Sequence, residues 1–440
     1  MGAEKSLYSA EGIPEEGPRC STVPGLVDGW AKALENHGTI SLADALAPAI
    51  EFSEAGFPVH PRLIEWLQRS GETLMKGGAY DSPFMPEGEI PKLGSLIRQP
   101  DLADSLRAIA KEGRDAYYKG DIAQQLVAGI KEAGGYFAEA DFASYSCRVV
   151  DPLCVPYRNV MLYQIPPNSW GLLMLMQLRV LDGLDVSSMG HNSAQLLHWL
   201  IETQRVCFAS GRSYISDPDF SDIPIKDLLS EEHARKLRDS IDPRKVSGKA
   251  VGEPRGGTSY VPVMDNFGNA VSHILSVFHP FGSGFIPKGT GILMNNRLSG
   301  FTLKEQHPNE LVPGKRPAHT LSPAMAMKDG IPFISFGTPG AAAQTVTLTQ
   351  IVLNLVDFEM NVQAAIEAPR WAVDRSGKRL IEDGIDHSVR VRLEAMGHEF
   401  FPPDTGPLMF GSAKVVMRDP ATGTLFAGAD FRRYAYAVGY

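Results

Sequence analysis

Gly256-Gly257-Thr258-Ser259-Tyr260, with Val263-Met264-Asp265-Asn266-Phe267-Gly268-Asn269-Ala270-Val271 close behind, is the stretch on which the reading of this chain turns. Two small residues precede a threonine that opens a strand, and a turn and a second strand follow. A chain that cuts itself would carry its nucleophile at such a threonine. Glycines at 256 and 257 let the backbone distort at the bond to be broken. After a cut between Gly257 and Thr258, the threonine would hold a hydroxyl nucleophile and, in its freed α-amine, the base. A motif this short also fits a plain β-hairpin whose first residue is threonine. The rest of the chain has to decide.

Outward from that point the pattern changes character. Upstream, the first half reads mainly as helices joined by Gly/Pro loops. Ser41 caps a helical run through Ile50, and Leu197, Leu200, Ile201 and Phe208 share one face of a helix reaching about Arg212. Gly134-Gly135 ends another helix. Ile165-Pro166-Pro167-Asn168-Ser169-Trp170-Gly171 is a rigid loop entering an apolar helix from Leu172. Residues 242–257, rich in Gly, Pro, Lys and Arg, read as a mobile linker. Downstream come strands. Asn266-Phe267-Gly268-Asn269 turns a hairpin, and Phe333-Ile334-Ser335-Phe336 is a strand. Leu348, Ile351, Val352, Leu355 and Val356 form the apolar stripe of a helix. A late hairpin pairs 413–417 with 424–427. This order predicts one layered α/β sandwich rather than two separate domains.

Composition sets bounds on function. The 440 residues are 43% hydrophobic and 21% charged, as in an ordinary globular protein with a sizeable core. A net charge of -9 argues against nucleic acid or an acidic membrane as partner. No apolar run is long enough to span a membrane, and Met1-Gly2-Ala3-Glu4-Lys5 does not open a secretory signal. Cys20, Cys147, Cys154 and Cys207 form no C-x-x-C pair, so reduced cysteines and a cytoplasmic location are the expectation. No close histidine spacing suggests a metal, and no cofactor is expected.

An amide-cleaving threonine needs backbone N–H groups aimed at the developing alkoxide. Gly337-Thr338-Pro339-Gly340-Ala341-Ala342 supplies candidates, since it lies between a strand and the positive end of an apolar helix. The same residues would equally suit a strand–helix turn that needs small side chains. His319, after the basic Lys315-Arg316-Pro317 run, is the histidine to watch.

From about Ser21 to Tyr440 the chain resembles the γ-glutamyltransferase (glutathione hydrolase) family of N-terminal nucleophile hydrolases. The motifs occur in order: Thr258 with Asp265-x-x-Gly268-Asn269-Ala270-Val271, Phe281-Gly282-Ser283-Gly284, Gly289-Thr290-Gly291-Ile292-Leu293-Met294-Asn295-Asn296, Pro313-Gly314-Lys315-Arg316-Pro317, Ser322-Pro323, Gly337-Thr338-Pro339-Gly340 and Ala368-Pro369-Arg370. The resemblance implies an α/β fold, a four-layer αββα sandwich. It also implies self-cleavage between Gly257 and Thr258, and acyl transfer from a small acyl amide to water or an amine. Residues 1–257 would form a large (α) subunit region ending in the linker, and residues 258–440 a small (β) one. The two come from one precursor as a single structural domain, with a dimer of such pairs left open.

Within the resemblance, Thr258 is the nucleophile, Ser276 stands where typical members carry a supporting threonine, and N–H groups of Gly340 and Ala341 form the oxyanion hole. Phe278, Arg297 and Gly300 replace the Asn, Gln and Asp that hold a glutamyl ammonium. Asn296-Arg297-x-x-x-Phe301, His307-Pro308-Asn309 and Arg316-Pro317-x-His319-Thr320 instead resemble the oxamate amidohydrolase branch. Arg297, His319 and Thr320 are therefore the candidate substrate-binding residues. Oxamate-type small-acid hydrolysis is the alternative activity, and a non-catalytic shortened homologue the alternative class. The family has a further N-terminal segment bearing strands of the sandwich, and this sequence begins downstream of it. The expectation is a sandwich short of those strands, or a chain whose start lies upstream. Pro262 is out of place in a central strand, where it removes a ladder donor.

Overall fold

The computed structural model describes residues 4–78, 82–248, 257–340, 343–374, 376–402 and 406–440. Packing divides the chain into two units, residues 1–149 with 277–317 and residues 150–276 with 318–440. Both are discontinuous in sequence, and the second contains Gly257 and Thr258.

In the second unit the strands and helices that frame the site are β1 (Leu153–Tyr157), β2 (Val160–Gln164), α1 (Gly171–Asp182), α2 (Ala194–Gly211), β3 (Gly257–Met264), β4 (Ala270–Phe278), β5 (Ala324–Lys328), β6 (Ile331–Gly337), α3 (Ala343–Val356), β7 (Lys414–Arg418) and β8 (Leu425–Ala429). Six strands form one sheet in the order β8-β7-β6-β5-β2-β1, every neighbouring pair antiparallel. Strands β3 and β4 form a separate two-stranded sheet.

One face of the large sheet, with Leu162, Ala326, Ile334, Phe336 and Val415, packs on Leu175 and Leu178 of α1, Leu197 and Ile201 of α2, and Leu348, Ile351 and Val352 of α3. Each fully buried leucine or isoleucine there contributes about 1.5–3 kcal/mol. Side chains alternate along a strand, so Ser335 and Gly337 of β6 face away from those helices. They meet β3. A Cβ at Gly337 would lie 2.4 Å from the Tyr260 ring, so only glycine lets the two sheets approach this closely here. Helices, large sheet and small sheet are three layers of the expected sandwich. The outward face of the small sheet leaves Val261, Val263 and Val271 half exposed.

The helical reading of the first half missed β1 and β2. Val160-Met161-Leu162-Tyr163-Gln164 alternates strictly in burial, and the hairpin turns at Arg158, whose φ is +51°. Pro262 also finds its reason. Among the described strands β3 pairs only with β4, and proline is tolerated on a strand with an open edge.

The first unit is mainly helical. Its helices include Leu26–His37, Leu42–Ala55, Pro61–Lys76, Pro100–Glu112 and Asp121–Glu132. Ser41 and Asp44 form the capping box that starts the second of these. Ile109, Tyr117, Tyr118, Leu126, Ile130 and Phe142 form its core, with Phe285 and Met294 from the later segment. Among the described residues no helix is long and apolar enough to cross a membrane.

Candidate active site

Thr258 lies at the second position of β3, half buried. The hairpin that follows is built by one side chain. Asp265 accepts from the N–H groups of Phe267 and Asn269 at 2.9 Å each and from the Asn269 amide at 2.7 Å. This returns the chain along β4 and carries Ser276 back to the start of β3. The Ser276 hydroxyl donates to the carbonyl oxygen of Gly257. That carbonyl belongs to the bond ahead of Thr258, so the donor polarises the group that self-cleavage would attack. The contact adds to the expectation from resemblance, in which Ser276 supports the threonine.

Beneath the hairpin sits a hydroxyl cluster that the sequence reading did not single out. The Tyr260 hydroxyl is 2.7 Å from Ser272 Oγ and 3.4 Å from Ser335 Oγ. Ser335 donates to the Val271 carbonyl at 2.8 Å and so ties the large sheet to the small one. Burial raises the Tyr260 phenol well above its ordinary value and keeps it neutral. Period-two spacing from Thr258 to Tyr260 was the available signal. Nothing in the sequence said that Gly337 would be its partner.

Gly340 follows β6 and precedes α3, with φ +136°. The turn is held by buried Thr338, whose hydroxyl donates to Pro339 O and accepts from Ser412 N, both at 2.8 Å. Ala341 lies outside the described residues. Tyr260 is two residues after Thr258 and Gly337 three before Gly340, so their contact joins the strand of Thr258 to this turn.

His319 is fixed by its backbone: its N–H donates to Asn168 O, and its carbonyl accepts from Trp170 N, both at 3.0 Å. The rigid Pro166–Trp170 loop is thus its support. Thr320 is buried. Ser322 N donates to Gln344 Oε1 at 3.0 Å, which brings this segment to the first turn of α3.

Arg297 belongs to the first unit, in a short turn of residues 297–300. Asn295 Oδ1 accepts from the N–H groups of Thr22 at 3.1 Å and Arg297 at 2.9 Å, and Asn296 accepts from His279 N at 3.0 Å. Arg297 is 8% exposed, and its guanidinium lies 4.7 Å from the centroid of the Phe278 ring. Neither Nη1 nor Nη2 has a hydrogen-bond partner among the described residues. Burial lowers its pKa to about 10. Phe278 itself has φ +83°, a costly conformation for a bulky residue and one that clusters at functional sites. Among the described residues no group of three or more His, Cys, Asp or Glu could hold a metal ion.

The strand of Thr258 packed on a helix-backed sheet, with a hydroxyl donor on the preceding carbonyl, matches a sandwich of the N-terminal nucleophile hydrolase class. The gamma-glutamyltranspeptidase profile matches residues 1–440. The chain is 37% identical over 426 residues to the glutathione hydrolase-like YwrD proenzyme of Bacillus subtilis, covering 95% of this chain and 80% of that one. It is 32% identical over 456 residues to the oxamate amidohydrolase proenzyme of Klebsiella pneumoniae, covering 100% and 86%. The crystal structure of cephalosporin acylase from Bacillus halodurans superposes with a TM-score of 0.90 at 32% identity, covering 98% of this chain and 81% of that chain. The chain belongs to the γ-glutamyltranspeptidase family, and it is an enzyme of the N-terminal nucleophile hydrolase type.

Proposed function

We propose that the chain cuts itself between Gly257 and Thr258 and that Thr258 then hydrolyses small acyl amides, γ-glutamyl compounds or related acids. The observation that carries this reading is the Ser276 hydroxyl on the Gly257 carbonyl. In the cut, Thr258 Oγ attacks the Gly257 carbonyl carbon and Ser276 stabilises the oxyanion. The C–N bond breaks to leave an ester, and water releases the Gly257 carboxylate and the Thr258 α-amine. Residues 1–257 and 258–440 become the two subunits. In turnover the α-amine takes the hydroxyl proton, the N–H groups of Gly340 and Ala341 hold the oxyanion, and water or an amine accepts the acyl group. His319 and Thr320 contact the substrate. Four cysteines unpaired with one another suit a cytoplasmic setting.

Arg297 sets the preference. A buried cation whose Nη1 and Nη2 have no hydrogen-bond partner among the described residues favours an acyl group ending in a carboxylate, which the planar fork receives in bidentate fashion. Phe278 and Gly300 offer no acceptor for a substrate ammonium. Acids lacking an amine should therefore outrun glutathione, and the oxamate-type activity of a relative fits the same argument. Intact-mass measurement should show two chains with the second starting at Thr258, and Thr258→Ala should remain one chain. A panel of kcat/KM values for glutathione, γ-glutamyl anilides, glutaryl amides and oxamate tests the preference. A wild type that hydrolyses substrate while uncut would overturn the maturation step. Better turnover of γ-glutamyl compounds would overturn the role of Arg297.

A further inference from the structure

Away from Thr258, the second unit buries a cluster of charged and ionisable side chains that catalysis does not use. His198 and Glu202 lie one turn apart on α2 and are fully buried, His398 is 2% exposed and Arg379 7%. His198 Nδ1 is 2.8 Å from His398 Nε2, and His198 Nε2 is 2.8 Å from the Asp242 carbonyl. A carbonyl only accepts, so His198 Nε2 carries its proton and Nδ1 is bare. His398 Nε2 must then donate to it. The relay runs one way, His398 to His198 to Asp242, and it needs His198 Nδ1 to stay without a proton. Burial first, then Arg379 and His198, press His398 down to about 3. Charged groups around them include Glu202, Arg205, Glu399 and the Lys245–Asp242 pair.

What the cluster grips is the chain leading to the cleavage point. Besides Asp242 O, Glu202 Oε2 accepts from Ser247 N at 3.2 Å, and Arg379 Nη2 donates to Gly248 O at 3.2 Å. Val246 N donates to Met396 O at 2.8 Å, two residues before His398. Arg205 holds Glu202 in place at 2.8 Å. Residues 242–248, which composition marks as mobile linker, are thus tied down at four backbone groups. A buried carboxylate, a buried guanidinium and two buried imidazoles are costly to assemble for a surface loop.

We propose that His198, Glu202, Arg379 and His398 are positioning residues for maturation: they anchor the linker so that Gly257-Thr258 is presented for cutting, and they retain the end of the leading chain afterwards. The proposal rests on the reading that the chain is cut before Thr258. Fixing residues 242–248 sets where the described end of the linker lies ahead of the cleavage point, and misplacement of reacting groups costs rate steeply.

The test has two arms. In a Thr258→Ala background, hydrogen exchange measured by mass spectrometry reads the peptide holding Val246 and Ser247, with peptides from α3 as internal control for global unfolding. His398→Phe and Glu202→Leu should speed exchange of that peptide roughly 10-fold or more and leave α3 unchanged. His398→Gln, which keeps a donor, should restore part of the protection. In the Thr258 background the same variants should mature roughly 10- to 100-fold more slowly. Once cut, they should keep kcat/KM within about twofold of wild type. Unchanged exchange would overturn the anchor, and fast exchange with wild-type maturation would overturn its role in presentation. A wild type that never cuts would remove the maturation reading alone, because the exchange arm still decides the anchor.

Discussion

Around Thr258 the polar groups answer one another, while around Arg297 a charge is left unanswered. The Gly257 carbonyl, Tyr260, Ser272, Ser335, Val271 O and Thr338 each have a named partner. The Arg297 guanidinium has an aromatic face and no hydrogen-bond partner at either terminal nitrogen among the described residues. Chemistry needs donors fixed before the reaction, and the Ser276 and Thr338 hydroxyls are fixed without a ligand. A buried charge is costly until a counter-charge pairs with it, and the two terminal nitrogens of Arg297 have no such partner among the described residues. On the function proposed above, the contrast would separate the part that sets rate from the part that sets preference.

The largest expected effect falls on the complete side. Ser276→Ala should slow self-cleavage by ~10²–10³, the usual loss for one oxyanion donor, while Ser276→Thr keeps most of the rate. Time courses on denaturing gels would show it, and an alanine variant that matures normally would break the contrast. On the incomplete side, Arg297→Gln should cost roughly 10²-fold in kcat/KM for acid-ended amides, as when one partner of a buried charge pair is removed. The same change should raise the melting temperature of the ligand-free protein, since an uncompensated cation disappears. Loss of stability instead would mean that Arg297 braces the turn.

Gly337→Ala probes the packing between the sheets. The new methyl group meets the Tyr260 ring and should destabilise by about 1–3 kcal/mol in denaturant unfolding, with maturation slowed in step. The smallest effect concerns acid. His398 is held down to about 3 in the folded protein, below its ordinary 6.5, so the unfolded chain takes up the proton first. Its stabilisation is complete above about pH 6.5 and is lost as pH falls from there toward 3. By pH 5 the loss should be about 1 kcal/mol after solvent screening, and His398→Gln should remove that part of the pH dependence. An unchanged pH profile would show that the ring is solvated.

Much of the site was legible because it is local. Gly257-Thr258, the Asp265–Asn269 turn and the Gly337–Gly340 turn are short motifs whose residue types dictate their backbone, and α3 announces itself by its apolar stripe. The β1–β2 hairpin escaped notice because five-residue strands amid helices give too brief an alternation to weigh against their surroundings. Linker composition around Pro243 and Gly248 pointed to mobility because it contains no information about the partners that hold it.

The sequence by itself determined the family and the turn that follows Thr258, and it named Thr258 as the candidate nucleophile and Phe278, Arg297 and Gly300 as changed positions. Each of these is written in neighbouring residues. Only the tertiary structure decided that Ser276 reaches the Gly257 carbonyl, that Gly337 must lack a side chain because Tyr260 lies on it, and that His198 finds His398 two hundred residues away. Those contacts join segments far apart in the chain. Burial sets their strength, since the dielectric and the exclusion of water around a group depend on everything packed against it.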